Sequence, residues 1–383
     1  MPTDVAAKRG LRDVVVAASS ICYLDGERGV LAYGGYDIHD LAQSCSFEEI
    51  CHLLWHGRLP GRAELGDVAA RLAAARTLPA GVVRLMHRLP AGEGACGGME
   101  GLRTLTSALA HYDPEEPSSS ADGHRRRAIR LTGAIASLVA THGRLARGGG
   151  PIEPDLALDH AANVLYMFTG ERPSATAARA LDVALILHAD HELNASTFAA
   201  RVTAATKSDM TSAIVAAIGA LKGPLHGGAN ADVMRLLLEI GPDAPRSRIE
   251  QVIHGKLERK EKIPGFGHRV YRTEDPRATH LRRMSKELGE QCGDTRWFEM
   301  SQTIEQLVKA EKRLNANVDF YSATVYHALG LPIEMFTPIF AVSRIAGWTA
   351  HVIEQYANNR LIRPRAEYIG PDYRQPFVPL GER

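Results

Sequence analysis

A histidine set among glycines and cations can polarise the oxygen of a small bound anion, and residues 262–277 read KIPGFGHRVYRTEDPR. The glycines flanking Phe266 let a ligand approach backbone closely, His268 follows them at once, and four cations lie within the stretch. The same composition also suits a basic surface loop. In GPLHGGAN (223–230), His226 stands just ahead of the helix expected from GANADVMRLLLEIG, where the positive end of the helix dipole would keep an imidazole neutral. A neutral imidazole donates a hydrogen bond to an oxygen gaining negative charge, as in proton abstraction beside a carbonyl; capping loop backbone is its other role. Asp319 in NVDFYSA (317–323) opens the helix FYSATVYHALG, either as its N-cap or as a base. A carboxylate is a weak base for a carbon acid, so that role requires a donor such as His226 to stabilise the enolate as it forms.

Two guanidiniums complete the set. Arg277, nine residues after His268, starts the helix DPRATHLRRMSKELG, and Arg344 lies in FAVSRIAGW. Both are available for bidentate contacts to small carboxylates, or for ion pairs with acidic neighbours. A dicarboxylate so held would present its remaining carbonyl to His268. In HADHELNAS (188–196), His188 and His191 lie three apart without the spacing of a zinc-protease helix, so no metal is expected; His191 either faces substrate or closes a helix end.

These residues need a scaffold, and apolar spacing makes it helical. SSICYLDGERGVLAYGGY alternates in part around Asp25-Gly26, which predicts a small N-terminal hairpin. Ser46 with Glu49 three residues on forms a capping box for FEEICHLLWHG, a helix of about ten residues stopped by LPG. Helical periodicity recurs in AELGDVAARLAAAR, RRRAIRLTGAIASLVATHGRLA, LDHAANVLYMFTG and ARALDVALILHADH. Gly/Pro punctuation then separates shorter, more charged helices from about 222 to 318, read as a smaller domain inserted in the helical body. DPEEPSSSADG (113–123) reads as a polar surface loop.

The totals bound the partners. Across 383 residues, 45 Lys+Arg against 44 Asp+Glu leave a formal charge of +1, so nothing global favours nucleic acid or an anionic membrane. Cys22, Cys45, Cys51, Cys96 and Cys292 are odd in number and lack a CxxC pair, which points to a reducing cytoplasm rather than a disulfide framework. The N-terminus, with acidic Asp4 and Asp13, fits neither a secretory nor a transit peptide, and no run approaches the roughly 18 apolar residues of a membrane span.

In chain order, ADHELNAS, GPLHGGAN, GFGHRVYRTEDPR, NVDFYSA and SRIAGW with RLIRPR resemble the signature segments of the citrate synthase family, nearest its shorter bacterial and archaeal members. The resemblance implies a mainly α fold with a small N-terminal β-hairpin. In it a large helical domain (1–222 and 319–383) and a smaller helical domain (223–318) close over a cleft. It implies condensation of acetyl-CoA with oxaloacetate and water to citrate and CoA, a tricarboxylic acid cycle reaction, with acetyl-CoA as substrate and no cofactor. Asp319 would take a proton from the acetyl methyl group, His226 would hydrogen-bond the enol oxygen, and His268 would polarise the oxaloacetate ketone. His191, Arg277, Phe340 and Arg344 would form the oxaloacetate pocket, joined by Arg363 from the second subunit of a homodimer. The main chain of Ile263, Pro264, Gly265, Phe266 and Gly267 would cradle adenine, with Arg272 and Lys262 on the CoA phosphates. The extra N-terminal region that the family's longer hexameric, NADH-regulated members carry is not expected. Two rivals share these residues: a 2-methylcitrate synthase taking propionyl-CoA, separated by one methylene worth about 1–3 kcal/mol, and a non-catalytic CoA- or dicarboxylate-binding regulator.

Overall fold

Helix ends are written locally in this chain, and most are closed by a side chain. Ser46 accepts from the Glu49 N–H while Glu49 accepts from the Ser46 N–H, so the capping box forms and Gly57 ends the helix in the left-handed conformation. Asp37, Ser120, Asp159, Ser174, Asn194 and Asp209 cap six further helices in the same manner. The protein is described here by a computed structural model, which covers residues 9–11, 14–89, 98–114, 120–371 and 373–383.

Three short strands, β1 (Cys22–Asp25), β2 (Val30–Tyr33) and β3 (Tyr36–Asp37), precede the helices. They form an antiparallel sheet in sequence order, with Cys22 opposite Tyr33 and Tyr33 opposite Tyr36. The expected hairpin is thus extended by a third strand. Its turn differs too: the left-handed glycine is Gly29, whereas Gly26 is needed because a Cβ there would fall 2.3 Å from the Val270 carbonyl. The sheet's turn therefore lies against the segment following His268, and Gly26 O accepts from the Arg272 N–H.

Among the described residues sixteen α-helices follow. The first half comprises α1 (Ile38–Ser44), α2 (Phe47–His56), α3 (Arg62–Ala74), α4 (Ala80–Met86), α5 (Gly98–Leu109), α6 (Ala121–Ala146), α7 (His160–Thr169) and α8 (Ala175–His188). Then come α9 (Ala195–Ala205), α10 (Met210–Leu221), α11 (Ala229–Ile240), α12 (Arg246–Glu258), α13 (Pro276–Cys292), α14 (Arg296–Lys312), α15 (Val318–Ala328) and α16 (Phe336–Ala357). None of these is long and apolar enough to cross a membrane.

The core is centred on α16, which is buried from Phe336 through Val352 apart from Thr337 and touches α2, α5, α6, α8, α9 and α10. Trp348 is fully enclosed, and the Trp55 indole N–H donates to Thr349 Oγ1 at 2.9 Å, so its one polar atom is satisfied. In the segment 223–318, α12 packs on α14, while α11 and α13 both pack on α15; α13 also reaches α8 and α1. Beyond α16 the chain leaves the body. Leu361, Tyr368, Ile369, Tyr373, Phe377 and Leu380 are 61–89% exposed there.

Of the polar stretch at 113–123, residues 115–119 lie outside the described residues, as does Cys96. Its end is not loop: Ser120 caps α6, and 121–123 are the first helical turn.

Candidate active site

The special backbone of GFGH exists to bring two segments together. Gly265 and Gly267 both have positive φ, +78° and +74°, and a Cβ on Gly265 would meet Phe320 and Val233 at 2.8 Å. The turn is stapled to the start of α15: Asn317 N–H donates to Gly265 O, Gly267 N–H to Asn315 O, and Asn317 Nδ2 to Gly267 O. Phe266 closes the contact, its ring 4.6 Å from that of Phe320. The loop carrying His268 and the helix carrying Asp319 are therefore one unit.

Asp319 is not the cap of α15. Asn317 is, accepting from the Asp319 N–H at 3.0 Å, which frees the Asp319 carboxylate. Burial pushes that carboxyl up to about 6; Arg277 and Arg344 oppose the shift and Asp275 adds to it. A carboxylate with this pKa is a stronger base than a free one and is still mostly ionised at neutral pH.

The two imidazoles are neutral and their tautomers are fixed. His268 Nδ1 accepts from the N–H groups of Val270 (3.0 Å) and Tyr271 (3.1 Å), so its proton sits on Nε2. His226 Nε2 accepts from the Ser196 N–H at 3.3 Å and lies 2.8 Å from Ser196 Oγ, so its proton sits on Nδ1. Ser196 is itself held by Trp348 and Asn194. Burial lowers each imidazole to about 4; Arg344 adds to this at His226 and Arg277 at His268. At His226 burial is the leading cause, and the Arg344 guanidinium adds to it. Gly227 makes the turn possible, since a Cβ there would strike the Leu221 carbonyl at 2.3 Å.

His191 joins this group. Its ring lies edge-on to His268 (5.3 Å) and to Tyr271 (5.6 Å), and its Nε2 is 3.2 Å from the Tyr271 hydroxyl. His188 does not: its Nδ1 meets Ala184 O inside α8.

The guanidiniums behave differently from one another. Arg277 is 3% exposed, and its Nε and Nη2 make a two-pronged pair with Asp275 at 2.9 and 2.8 Å. Of the two fates open to Arg277, the ion pair is present; Asp275 also accepts from the Val318 N–H, and only Nη1 stands outside the pair. Arg344 keeps more in reserve. It donates from Nε to His188 O at 2.6 Å and lies 4.6 Å over the Phe340 ring, while its buried Nη1 has no partner among the described residues. A buried guanidinium nitrogen without an acceptor costs free energy that an anionic ligand would return.

For the remaining expected residues the structure gives burial. Ile263 is buried, Pro264 half-buried, and Lys262 and Arg272 are exposed. Arg363 is exposed on the extended C-terminal segment. Sequence reasoning missed Ser196, Tyr271 and Asp275, although all three sit inside segments it singled out.

Comparison with known proteins identifies the family. The family profile described as citrate synthase, C-terminal domain, matches residues 10–365. Citrate synthase 2 of Bacillus subtilis is 51% identical over 99% of this chain and 100% of its own length. The citrate/2-methylcitrate synthase of the same organism is 44% identical over 95% and 96%. A solved structure of the Thermoplasma acidophilum citrate synthase, in ternary complex with carboxymethyl coenzyme A and oxaloacetate, superposes with a TM-score of 0.90 at 32% identity, covering 98% of this chain and 99% of that one. With the fold, the ordered motifs and nearly the whole length in agreement, this chain belongs to the citrate synthase family and is an acyltransferase of that type.

Proposed function

We propose that the protein condenses acetyl-CoA with oxaloacetate and water to give citrate and CoA. The observation that carries this reading is the staple that holds the His268 loop to the helix of Asp319; Arg277 acts on both Asp319 and His268, and Arg344 on both Asp319 and His226. Asp319 takes a proton from the acetyl methyl carbon as His226 Nδ1–H donates to the thioester oxygen, giving an enol rather than a free enolate. His268 Nε2–H polarises the oxaloacetate ketone, and the enol carbon attacks it. Water then cleaves the citryl thioester, releasing CoA. Arg344 Nη1, Arg277 Nη1 and His191 hold the dicarboxylate, with Phe340 beneath Arg344. The main chain of 263–267 receives the adenine, and exposed Arg272 and Lys262 meet the CoA phosphates.

Residues 223–318, together with α15, on which α11 and α13 pack, form a smaller lobe in this reading, closing on the larger one when oxaloacetate binds, so that the acyl site is completed only in its presence. The exposed apolar C-terminal segment covers a second copy and carries Arg363 into that copy's pocket, which makes the active form a homodimer. A reducing cytoplasm suits the free Cys22, Cys45, Cys51 and Cys292.

A second reading has support of its own. A relative at 44% identity is named for both citrate and 2-methylcitrate synthesis, and one methylene in the acyl pocket separates propionyl-CoA from acetyl-CoA. Both readings are tested by oxaloacetate-dependent release of free thiol. The expected result is a kcat/KM for acetyl-CoA at least about tenfold above that for propionyl-CoA. The reverse order establishes the second reading, and no thiol from either overturns both.

A further inference from the structure

Gly26 sits in the turn between β1 and β2, and glycine is needed there for contact rather than conformation. Its φ lies outside the left-handed region, so an alanine would carry no backbone strain of its own. What a side chain would meet is main chain: a Cβ on Gly26 would fall 2.3 Å from the Val270 carbonyl oxygen and 2.8 Å from its carbon. A peptide carbonyl cannot rotate aside as a side chain does, so the loop itself would have to move.

That carbonyl shares a rigid peptide unit with the Tyr271 N–H, which donates to His268 Nδ1 at 3.1 Å. The next peptide unit is held as well, since the Arg272 N–H donates to Gly26 O at 2.9 Å. Gly26 therefore touches two successive peptides, one by close packing and one by a hydrogen bond. The first of them supplies, together with the Val270 N–H at 3.0 Å, the pair of donors that leaves the His268 proton on Nε2. The same turn reaches further along the loop, where a Cβ on Gly29 would fall 2.7 Å from Thr273 Cγ2 and 3.1 Å from the Glu274 carbonyl. Asp25 shapes the turn from inside, its Oδ1 accepting from the N–H groups of Glu27 and Arg28 at 3.0 Å each. The sheet is anchored to the body through β2, where Leu31 and Tyr33 are fully buried and the Tyr33 hydroxyl accepts from the Asp190 N–H at 3.3 Å, one residue before His191.

We infer that Gly26 is a positioning residue for His268: the β1–β2 turn braces the peptides of 270–272 so that the imidazole keeps its accepting nitrogen on the loop and its N–H toward the ketone. The bracing stands on these contacts; its effect on turnover rests on the proposed function.

The test uses the full chain with isotopically labelled histidines, whose imidazole nitrogen resonances report the tautomer, and His268→Asn identifies the His268 signal. In the parent His268 should show one tautomer, protonated on Nε2. Gly26→Ala is expected to shift that resonance toward a mixture of tautomers and to lower kcat by roughly 10–100-fold, with a smaller rise in the oxaloacetate KM. Gly35→Ala is the control: it strains the β2–β3 turn of the same sheet, where φ is +88° and a Cβ would meet nothing within 4 Å, and so weakens the sheet without touching the loop. It should keep the parental resonance and kcat. Asp25→Ala unpins the turn and should move both readouts as Gly26→Ala does, by less, while Asp25→Asn keeps the accepting oxygen and should recover them. If Gly26→Ala does not fold, the Asp25 pair decides by the same two readouts. A parental His268 resonance in Gly26→Ala overturns the inference, as does a shifted resonance at parental kcat or an equal loss of kcat in Gly35→Ala. A parent that releases no free thiol overturns the proposed function instead, and the resonances, which need no substrate, still decide the bracing.

Discussion

In the proposed reaction Asp319 is the base, and its burial is also a local cost to the fold. Its carboxyl titrates at about 6 rather than the ordinary 3.8, so between those values the folded chain binds more protons than the unfolded one. Stability therefore falls as pH rises through that window, and the cost is fully present above it. Asp319→Asn should stabilise the fold at pH 7–8 but not at pH 4, by on the order of 1–2 kcal/mol after discounting for its partial exposure, seen as a raised melting temperature. The same change should lower kcat by about 10²–10⁴, with oxaloacetate affinity retained. In the parent, kcat/KM should fall on acidification with a midpoint near 6, since His226 and His268 stay neutral there at about 4. Melting curves and rate profiles against pH check each part; a destabilised Asp319→Asn at pH 7–8 would contradict the sign.

At the scale of elements, Asn317 has two tasks. Its Oδ1 caps α15 and its Nδ2 holds the Gly267 carbonyl, so it joins the base's helix to the loop of His268. Asn317→Ala should cost about 1–2 kcal/mol in chemical denaturation and reduce kcat more than it raises the oxaloacetate KM, because the affected contact aligns the reacting groups. Much at this scale was legible in advance. The Ser46–Glu49 pair marked α2 to the residue, since capping is decided within one turn. Asp319 was misread as a possible cap because Asn317, two residues earlier, offers the same chemistry, and only its contact with Gly267 shows which side chain turns inward. β3 escaped notice because two residues carry no periodicity. Asp275, Ser196 and Tyr271 could not be given roles from sequence, as each acts through a contact that folding creates: Asp275 on Val318, Ser196 on His226, Tyr271 on His191.

For the whole molecule, the exposed C-terminal segment bears on the proposed dimer. If Arg363 serves the neighbouring subunit's pocket, a chain with Arg363→Ala and a chain with Asp319→Ala each lack a functional site alone. Refolded together at equal amounts, they should regain about a quarter of parental activity, since half the dimers are mixed and each mixed dimer has one intact site. Failure to regain activity above either variant alone would assign Arg363 to its own chain.

Phe340, Arg344, Gly347, His351 and Gln355 recur along α16 at steps of four, three, four and four residues, which keeps them on one side of a single rod. Inserting or deleting one residue between Phe340 and Gln355 would swing everything downstream by about 100° and disconnect the far end from the near end at once. Tolerance of length changes should therefore be absent across these sixteen positions even though the surface loops accept them, and any attempt to graft or shorten this protein has to leave that rod uncut.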